Sequence, residues 1–447
     1  MPELLLFVFL LTGIFAITAG HRFGHLSAIS LFTYAQATMA AGTLPALDTT
    51  IAADQTHGSL IMLTFGTLVV VSIVASFTNR RDASTRAAYA PEIDFEVPRR
   101  SVTFWIVVSI AICIGYFASI GYIAFFESLE SLAGNTGEDL AGLRLESYAG
   151  SRYFFPGYVN QFKNALLPAL TIAALVSAYH FHRRGRTLLA LTLVPATLVF
   201  LLGTGQRAAF VLALALATVA AYFITPRSFK KYAMRVAVVG LGLFFLTTVA
   251  SGRVAADLRA ASGLGQQIGI LFEQLAFRVL GSNQTSSVTG FRYVYELDIP
   301  FASEWWQGLV GLLPGQTGSD LSNRIFQVLY GSTRGTSPLS LWGAAYHNLG
   351  LPGSIVLAAV LAMILCAIST TVNKRKQTNL IQLVGMAGVT VTLGTWIADG
   401  PTSVLNSGLA MYVIVWWWGS RIEVRKARAL DRATSSSAST NRYRPRR

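Results

Sequence analysis

SIVLAAVLAMILCAIS, residues 354–369, carries no charge and no residue that breaks a helix. With its neighbours it makes an apolar segment at 351–370, and roughly 20 such residues carry a helix across the hydrocarbon of a bilayer. Segments of the same kind recur at about 2–19, 26–45, 58–77, 102–126, 161–179, 187–204, 208–224, 236–250, 379–398 and 404–419. The composition agrees with this pattern. Of 447 residues, 53% are hydrophobic and only 13% charged, with a mean hydropathy of +0.52, which fits neither a soluble globular chain nor a disordered one. The predicted fold is an all-α polytopic membrane protein with about 11 transmembrane helices.

Loops that stay in the cytoplasm carry an excess of Lys and Arg, and every second loop here is basic. Arg22 occupies the first, and Arg80, Arg81, Arg86, Arg99 and Arg100 the next. Arg183, Arg184 and Arg186 follow, then Arg227, Lys230, Lys231 and Arg235, then Lys374, Arg375 and Lys376, and finally the tail from Arg421. Together these hold 25 of the 35 basic residues. The N-terminus is therefore expected outside and the C-terminus in the cytoplasm. The net charge of +14 follows from this topology and from attraction to anionic lipid, so nucleic acid is not expected as a partner. Residues 1–425 read as one integral membrane domain and 426–447 as a basic, disordered cytoplasmic tail. Cys113 and Cys366 both fall in apolar segments, which indicates neither a disulfide nor a metal site. The first segment is followed by HRFGH without a small-residue cleavage site and is expected to be retained.

The external loop at 251–350, between the eighth and ninth segments, is too polar to cross a membrane and too apolar to be a solvated linker. Within it Ile268, Leu271, Phe272, Leu275 and Val279 recur at helical spacing, the pattern of an amphipathic helix lying on the membrane surface. Trp305 and Trp306 are placed for the headgroup level. The loop also holds Arg253, Arg259, Arg278, Arg292, Arg324 and Arg334, and Arg207 follows the sixth segment with no acid nearby. Guanidinium groups are permanently charged and offer forked donors that match phosphate oxygens, so a diphosphate headgroup is a natural partner. The alternative is pairing with the loop's own acids, Asp257, Glu273, Glu296, Asp298, Glu304 and Asp320.

Two stretches stand out from this background. One is GTGQRAAFVLALAL, which contains Arg207; the other is TSPLSLWGAAYHNLGLPG, residues 336–353, which sets Tyr346, His347 and Asn348 at the edge of the ninth segment. The first resembles the Gly/Ser-Arg-small element that opens a helix in O-antigen polymerases and their relatives, the oligosaccharide repeat unit polymerases. The second resembles the Pro, Gly, Tyr-x-Asn-aromatic-Gly pattern that closes the large external loop of those enzymes. Relatives often carry an acid where this chain has Ala344 and an aromatic where it has Leu349.

The resemblance implies an integral-membrane glycosyltransferase of the C type that needs no metal and no cofactor. It would join repeat units carried on undecaprenyl diphosphate, as donor and acceptor, at the outer face of the bacterial plasma membrane. A chain-length-regulating copolymerase and a flippase are the implied partners. Because the lipid diphosphate is a good leaving group, the protein's tasks are to hold its charge, align the anomeric carbon and accept a proton. Arg207, Arg253, Arg278 and Arg334 are expected to hold the diphosphate, with Arg259 and Arg292 as further candidates. His347, whose ordinary pKa is about 6.5, is the expected base, with Glu296 and Asp298 as competing carboxylates. Tyr346 and Asn348 would position the loop or a sugar, and Gly343, Gly350 and Gly353 read as close-packing or turn positions. Three other readings stand beside this one. One is a divalent-metal glycosyltransferase of the same broad type, which would place an acidic pair in its first outer loop, where Asp48 and Asp54 are too weak a signal to claim it. An O-antigen ligase has a similar outer loop, but here Gly350 and Gly353 follow His347-Asn348 without the longer spacer that ligases have. A lipid-linked oligosaccharide flippase would want charges within several helices, and these segments are nearly free of them.

Overall fold

A computed structural model describes residues 2–78, 92–127, 157–181, 184–204, 207–225, 261–332, 335–375 and 377–422, with a few isolated positions between 234 and 257. The described residues are mostly helical, with nearly no sheet. Among the described residues, five helices are long and apolar enough to cross a membrane: α1 (Pro2–Phe23), α3 (Ala52–Thr78), α4 (Arg99–Ile120), α5 (Tyr158–Phe181) and α12 (Leu341–Asn373). Between and beyond them lie α2 (Ala28–Thr43), α6 (Arg184–Gly203), α7 (Arg207–Ile224), α8 (Leu264–Leu280), α9 (Ser282–Tyr295), α10 (Ser303–Val310), α11 (Leu321–Tyr330), α13 (Leu380–Gly394), α14 (Pro401–Asn406) and a final helix, α15, at 409–422. The segment expected at 236–250 lies almost entirely outside the described residues.

Helix ends follow local chemistry more closely than hydropathy does. The Ser27 side chain caps α2 by accepting from the Ser30 amide at 3.3 Å. Helix α4 stops at Ile120, short of the expected 126, where Gly121 turns at φ +90°. Helix α3 starts at Ala52, ahead of the expected 58, because Asp54 and His57 are buried within it and do not form a polar loop. In α12 the apolar segment expected from 351 is preceded by a further helical arm that begins at Leu341. Ser340 caps it by accepting from the Gly343 amide at 3.2 Å. Gly350 (φ +69°, ψ −178°) is not helical, so the arm and the apolar helix that follows it meet at a kink there, beside Pro352. The tyrosine-histidine-asparagine motif therefore lies on a buried helical arm ahead of the bend.

Segments expected on the same side of the membrane come together in the fold. At one end the Arg22 guanidinium donates to Ser76 O at 2.9 Å, and the Asn373 amide to Phe23 O at 2.8 Å. Strand β1 (Glu92–Asp94) pairs in parallel there with β2 (Gln377–Asn379), in the register Glu92 to Gln377. These residues flank or belong to basic loops assigned to one side. At the other end the Gln36 amide donates to Trp396 O at 2.9 Å and the Gln161 amide to Leu405 O at 2.8 Å, and the described part of the large loop packs there.

Among the described residues the interior holds three hydrophobic clusters. One joins α1, α2, α3, α9, α11 and α12; the second joins α4, α5, α6, α7, α13 and α15; the third, small, joins the end of α4 to the start of α5. Helix α13 is buried on every side from Leu380 to Thr392. Small residues let it approach its neighbour closely: Gly385 lies on the Trp416 backbone, Gly388 under the Tyr412 ring, and Gly419 of α15 on the Gln382 backbone. Helix α8 is amphipathic and buries none of its residues, with Leu264, Ile268, Phe272 and Phe277 all exposed.

Candidate functional site

At the end of the bundle where α5, α7 and α14 begin, residues 303–322 fold over the helix starts and leave a cavity of about 700 Å³, within the usual size of a ligand site. Exposed Gly318 and Thr336 mark where it meets the surface. The lining is mixed: Asn160, Asn164, Asn406, Ser319, Ser322, Thr402 and the carboxylate residues Glu304 and Asp399 share it with Trp305 and with apolar Ala208, Ala209, Leu212, Leu312 and Leu321.

Glu304 enters the cavity from the first turn of α10. The two residues before that helix, Phe301 (φ +46°) and Ala302 (φ +65°), hold left-handed conformations that side chains disfavour. The turn is fixed by the Ala302 amide, which donates to Asn348 O at 2.9 Å. The wholly buried Asn348 side chain completes the clamp. Its Nδ2 donates to Glu304 Oε2 at 3.1 Å and to Ala344 O at 3.0 Å, and its Oδ1 accepts from the Trp305 amide at 3.2 Å. The other oxygen of Glu304 accepts from the Ser319 hydroxyl.

Asp399 comes from the turn between α13 and α14. Its φ is +56°, a conformation that aspartate tolerates better than most residues. The turn is held by the Asp399 amide, which donates to Leu339 O at 2.8 Å, and by an antiparallel bridge between Ser340 and Ala398. Ser322 donates to Asp399 Oδ1 at 3.4 Å. Thus Ser319 and Ser322, three residues apart, supply one hydroxyl to each carboxylate. Next to Asp399, Gly400 lies flat against the Trp305 indole, where a Cβ would collide with the ring. Burial and the nearby charge of Glu304 push the Asp399 carboxyl up to about 7. Two buried polar atoms of the lining, Trp305 Nε1 and Asn164 Oδ1, have no hydrogen-bond partner among the described residues.

The residues expected from sequence are distributed unevenly around this cavity. Asn348 belongs to its clamp, whereas His347, one residue earlier, is buried outside the lining with Nδ1 unpartnered among the described residues. Tyr346 packs against Phe291, ring centroids 5.0 Å apart. Glu296 and Asp298 are exposed past the end of α9 and do not reach the cavity. Arg278 donates to the Ser282 hydroxyl at 3.4 Å. Arg207 is the first residue of α7, directly before Ala208 and Ala209 of the lining, and its side chain lies outside the described residues. Arg253, Arg259 and Arg334 lie outside them altogether. Trp305 and Trp306 part company: Trp306 is 68% exposed, while Trp305 faces the cavity.

Sequence reading did not single out Lys163. It is wholly buried in the π-helical stretch Gln161–Leu166 of α5, between the lining residues Asn160 and Asn164, and its Nζ donates to Thr204 Oγ1 at 3.3 Å. π turns often mark functional positions.

The chain matches no family model, no curated protein and no solved structure. The site is therefore read from its own geometry. Among the described residues, no three His, Cys, Asp or Glu side chains group so as to hold a metal ion.

Arg292 forms a two-pronged pair with Asp54, at 2.8 Å and 2.6 Å. Asp54 is fully buried and also accepts from the Asp48 amide at 2.7 Å. The pair ties α9 to α3, so Arg292→Met is expected to lower the melting temperature by leaving a buried carboxylate unpaired. A double-mutant cycle with Asp54→Asn should return a coupling of about 1–3 kcal/mol in thermal unfolding. Additive effects of the two substitutions would show that the pair does not hold the helices together.

Proposed function

We propose that this chain is a glycosyltransferase that polymerises oligosaccharide repeat units carried on undecaprenyl diphosphate, at the outer face of the bacterial plasma membrane. In this reading it crosses the membrane about 11 times, with the N-terminus outside and the C-terminus in the cytoplasm. The observation that carries the proposal is the cavity. Two carboxylates, several amides and hydroxyls and an indole converge on it, which is the chemistry that recognises a sugar: polar groups for its hydroxyls and a flat apolar face for its C–H surface. It lies at the end of the bundle that the charge pattern assigns to the outside. Its lining includes the start of α7, where Arg207 stands at the edge of an apolar segment and can meet a lipid diphosphate. Helix α8, with its apolar face uncovered, suits the membrane surface from which such a lipid would enter.

The proposal is tested by the length of surface and lipid-linked glycans in a strain lacking the protein. Glycans should collapse to a single repeat unit on the outer face, and wild type should restore long chains where Arg207→Ala does not. Full-length polymer left on its lipid would mean a ligase, and single units trapped on the cytoplasmic face a flippase. Since the diphosphate charge is assigned to arginine, activity in isolated membranes is expected to survive excess chelator. Loss of activity on chelation, restored by a divalent cation, would replace the arginines with a metal.

A further inference from the structure

We propose that Asp399 is the catalytic base of the transfer reaction and that Glu304 is the positioning residue that tunes it. This assignment rests on the polymerase reading above and moves the proton acceptor away from His347.

The geometry separates the two carboxylates into different roles. Both oxygens of Glu304 are engaged, one by Ser319 and the other by the buried Asn348, so this side chain is fixed. Asp399 has the Ser322 hydroxyl at 3.4 Å and the Leu339 backbone as partners, which leaves a carboxylate with two oxygens capacity for a substrate hydroxyl. Among the described residues that line the cavity, from α5, α7, α10, α12, α14 and the 311–322 segment, Glu304 is the only other titratable group. The charge that Asp399 meets is therefore that of Glu304, and together with burial it brings the Asp399 carboxyl to about 7. A base in that range combines a sizeable ionised fraction near neutral pH with real basicity.

The step balances without a further reactant. The acceptor sugar's hydroxyl oxygen attacks the anomeric carbon of the donor, and a new C–O bond forms as the bond from that carbon to the diphosphate oxygen breaks. The diphosphate departs with the electron pair. The hydroxyl proton passes to the Asp399 carboxylate, from which water removes it after product release.

A turn residue with φ near +60° could be aspartate for purely conformational reasons, and Asp399→Asn separates the two roles. Asparagine tolerates the same backbone and can still accept from Ser322, but it cannot take a proton. In vesicles containing the purified full chain and a lipid-linked repeat unit, wild type should make a ladder whose rate rises with pH through about 7, where Asp399 ionises. Asp399→Asn should lower kcat about 10²–10⁴-fold, leave KM for the lipid-linked unit nearly unchanged and abolish that limb of the pH profile. Glu304→Gln should shift the limb to lower pH by removing the neighbouring charge, a change that a structural role would not produce. Wild-type kcat in Asp399→Asn, or an unmoved limb in Glu304→Gln, would overturn the assignment. Absence of any ladder from the wild-type protein would instead bring down the polymerase reading itself.

Discussion

Asn348→Ala is expected to slow polymerisation about 10²-fold, the usual consequence of letting a reacting group shift by an ångström. Asn348 satisfies the Trp305 amide, holds one oxygen of Glu304 and returns a bond to its own helix at Ala344. Its removal frees the first turn of α10 on its strained entry at Phe301 and Ala302, so both Glu304 and the Trp305 ring lose their fixed placement. Stability should also fall, by about 1–3 kcal/mol, because a buried amide donor is left without a partner. Initial rates in reconstituted membranes and thermal unfolding of the same sample check the two effects together. A wild-type rate in Asn348→Ala would show that the clamp has no part in the reaction.

Gly388→Leu should have the largest effect on the fold. Helix α13 is enclosed on every side, and a Cβ at 388 would enter the Tyr412 ring of α15. Neither helix can retreat, since Gly385 lies on the backbone at Trp416 and Gly419 on the backbone at Gln382. Overpacking a core costs about 1–3 kcal/mol where side chains can adjust, and more where they cannot. The variant is expected to aggregate or to melt well below wild type in detergent, with Gly388→Ala in between. A Gly388→Leu protein that melts with the wild type would contradict the packing of α13 on α15.

The fold was legible because hydropathy and charge alternate along the chain. Most expected segments overlap a described helix, five of them long and apolar enough to cross a membrane, and the loops placed on one side by their arginines meet in the Arg22–Ser76 and Asn373–Phe23 contacts and in the β1–β2 pair. Helix ends were less legible. Asp54 and His57 look like loop residues until α9 supplies Arg292 and the Phe291 ring, which stacks on His57 with centroids 4.3 Å apart. The glycine-proline pair at 350–352 reads as a boundary and is one, with Gly350 non-helical; the helical arm ahead of it, capped by Ser340, was not legible.

The site was legible only in part. The 336–353 motif led to Asn348, which holds the cavity's clamp. Glu304 and Asp399 were passed over, because each is a lone acid in a stretch with an ordinary explanation: an interfacial helix around Trp305 and an Asp-Gly-Pro turn. What joins them is contact between residues nearly a hundred positions apart, which no local pattern records. One sequence feature could have pointed to Asp399: it is the only charged residue between the last two apolar segments, on the side where the substrate was expected.

The most direct test of the account is to incubate the purified chain in proteoliposomes with a single lipid-linked repeat unit, with chelator present, and to resolve the products by size. A ladder of lengthening glycans still attached to lipid, built by this protein alone, is the predicted result. Starting material that stays one repeat unit long, with the protein folded and the lipid accessible, would contradict it.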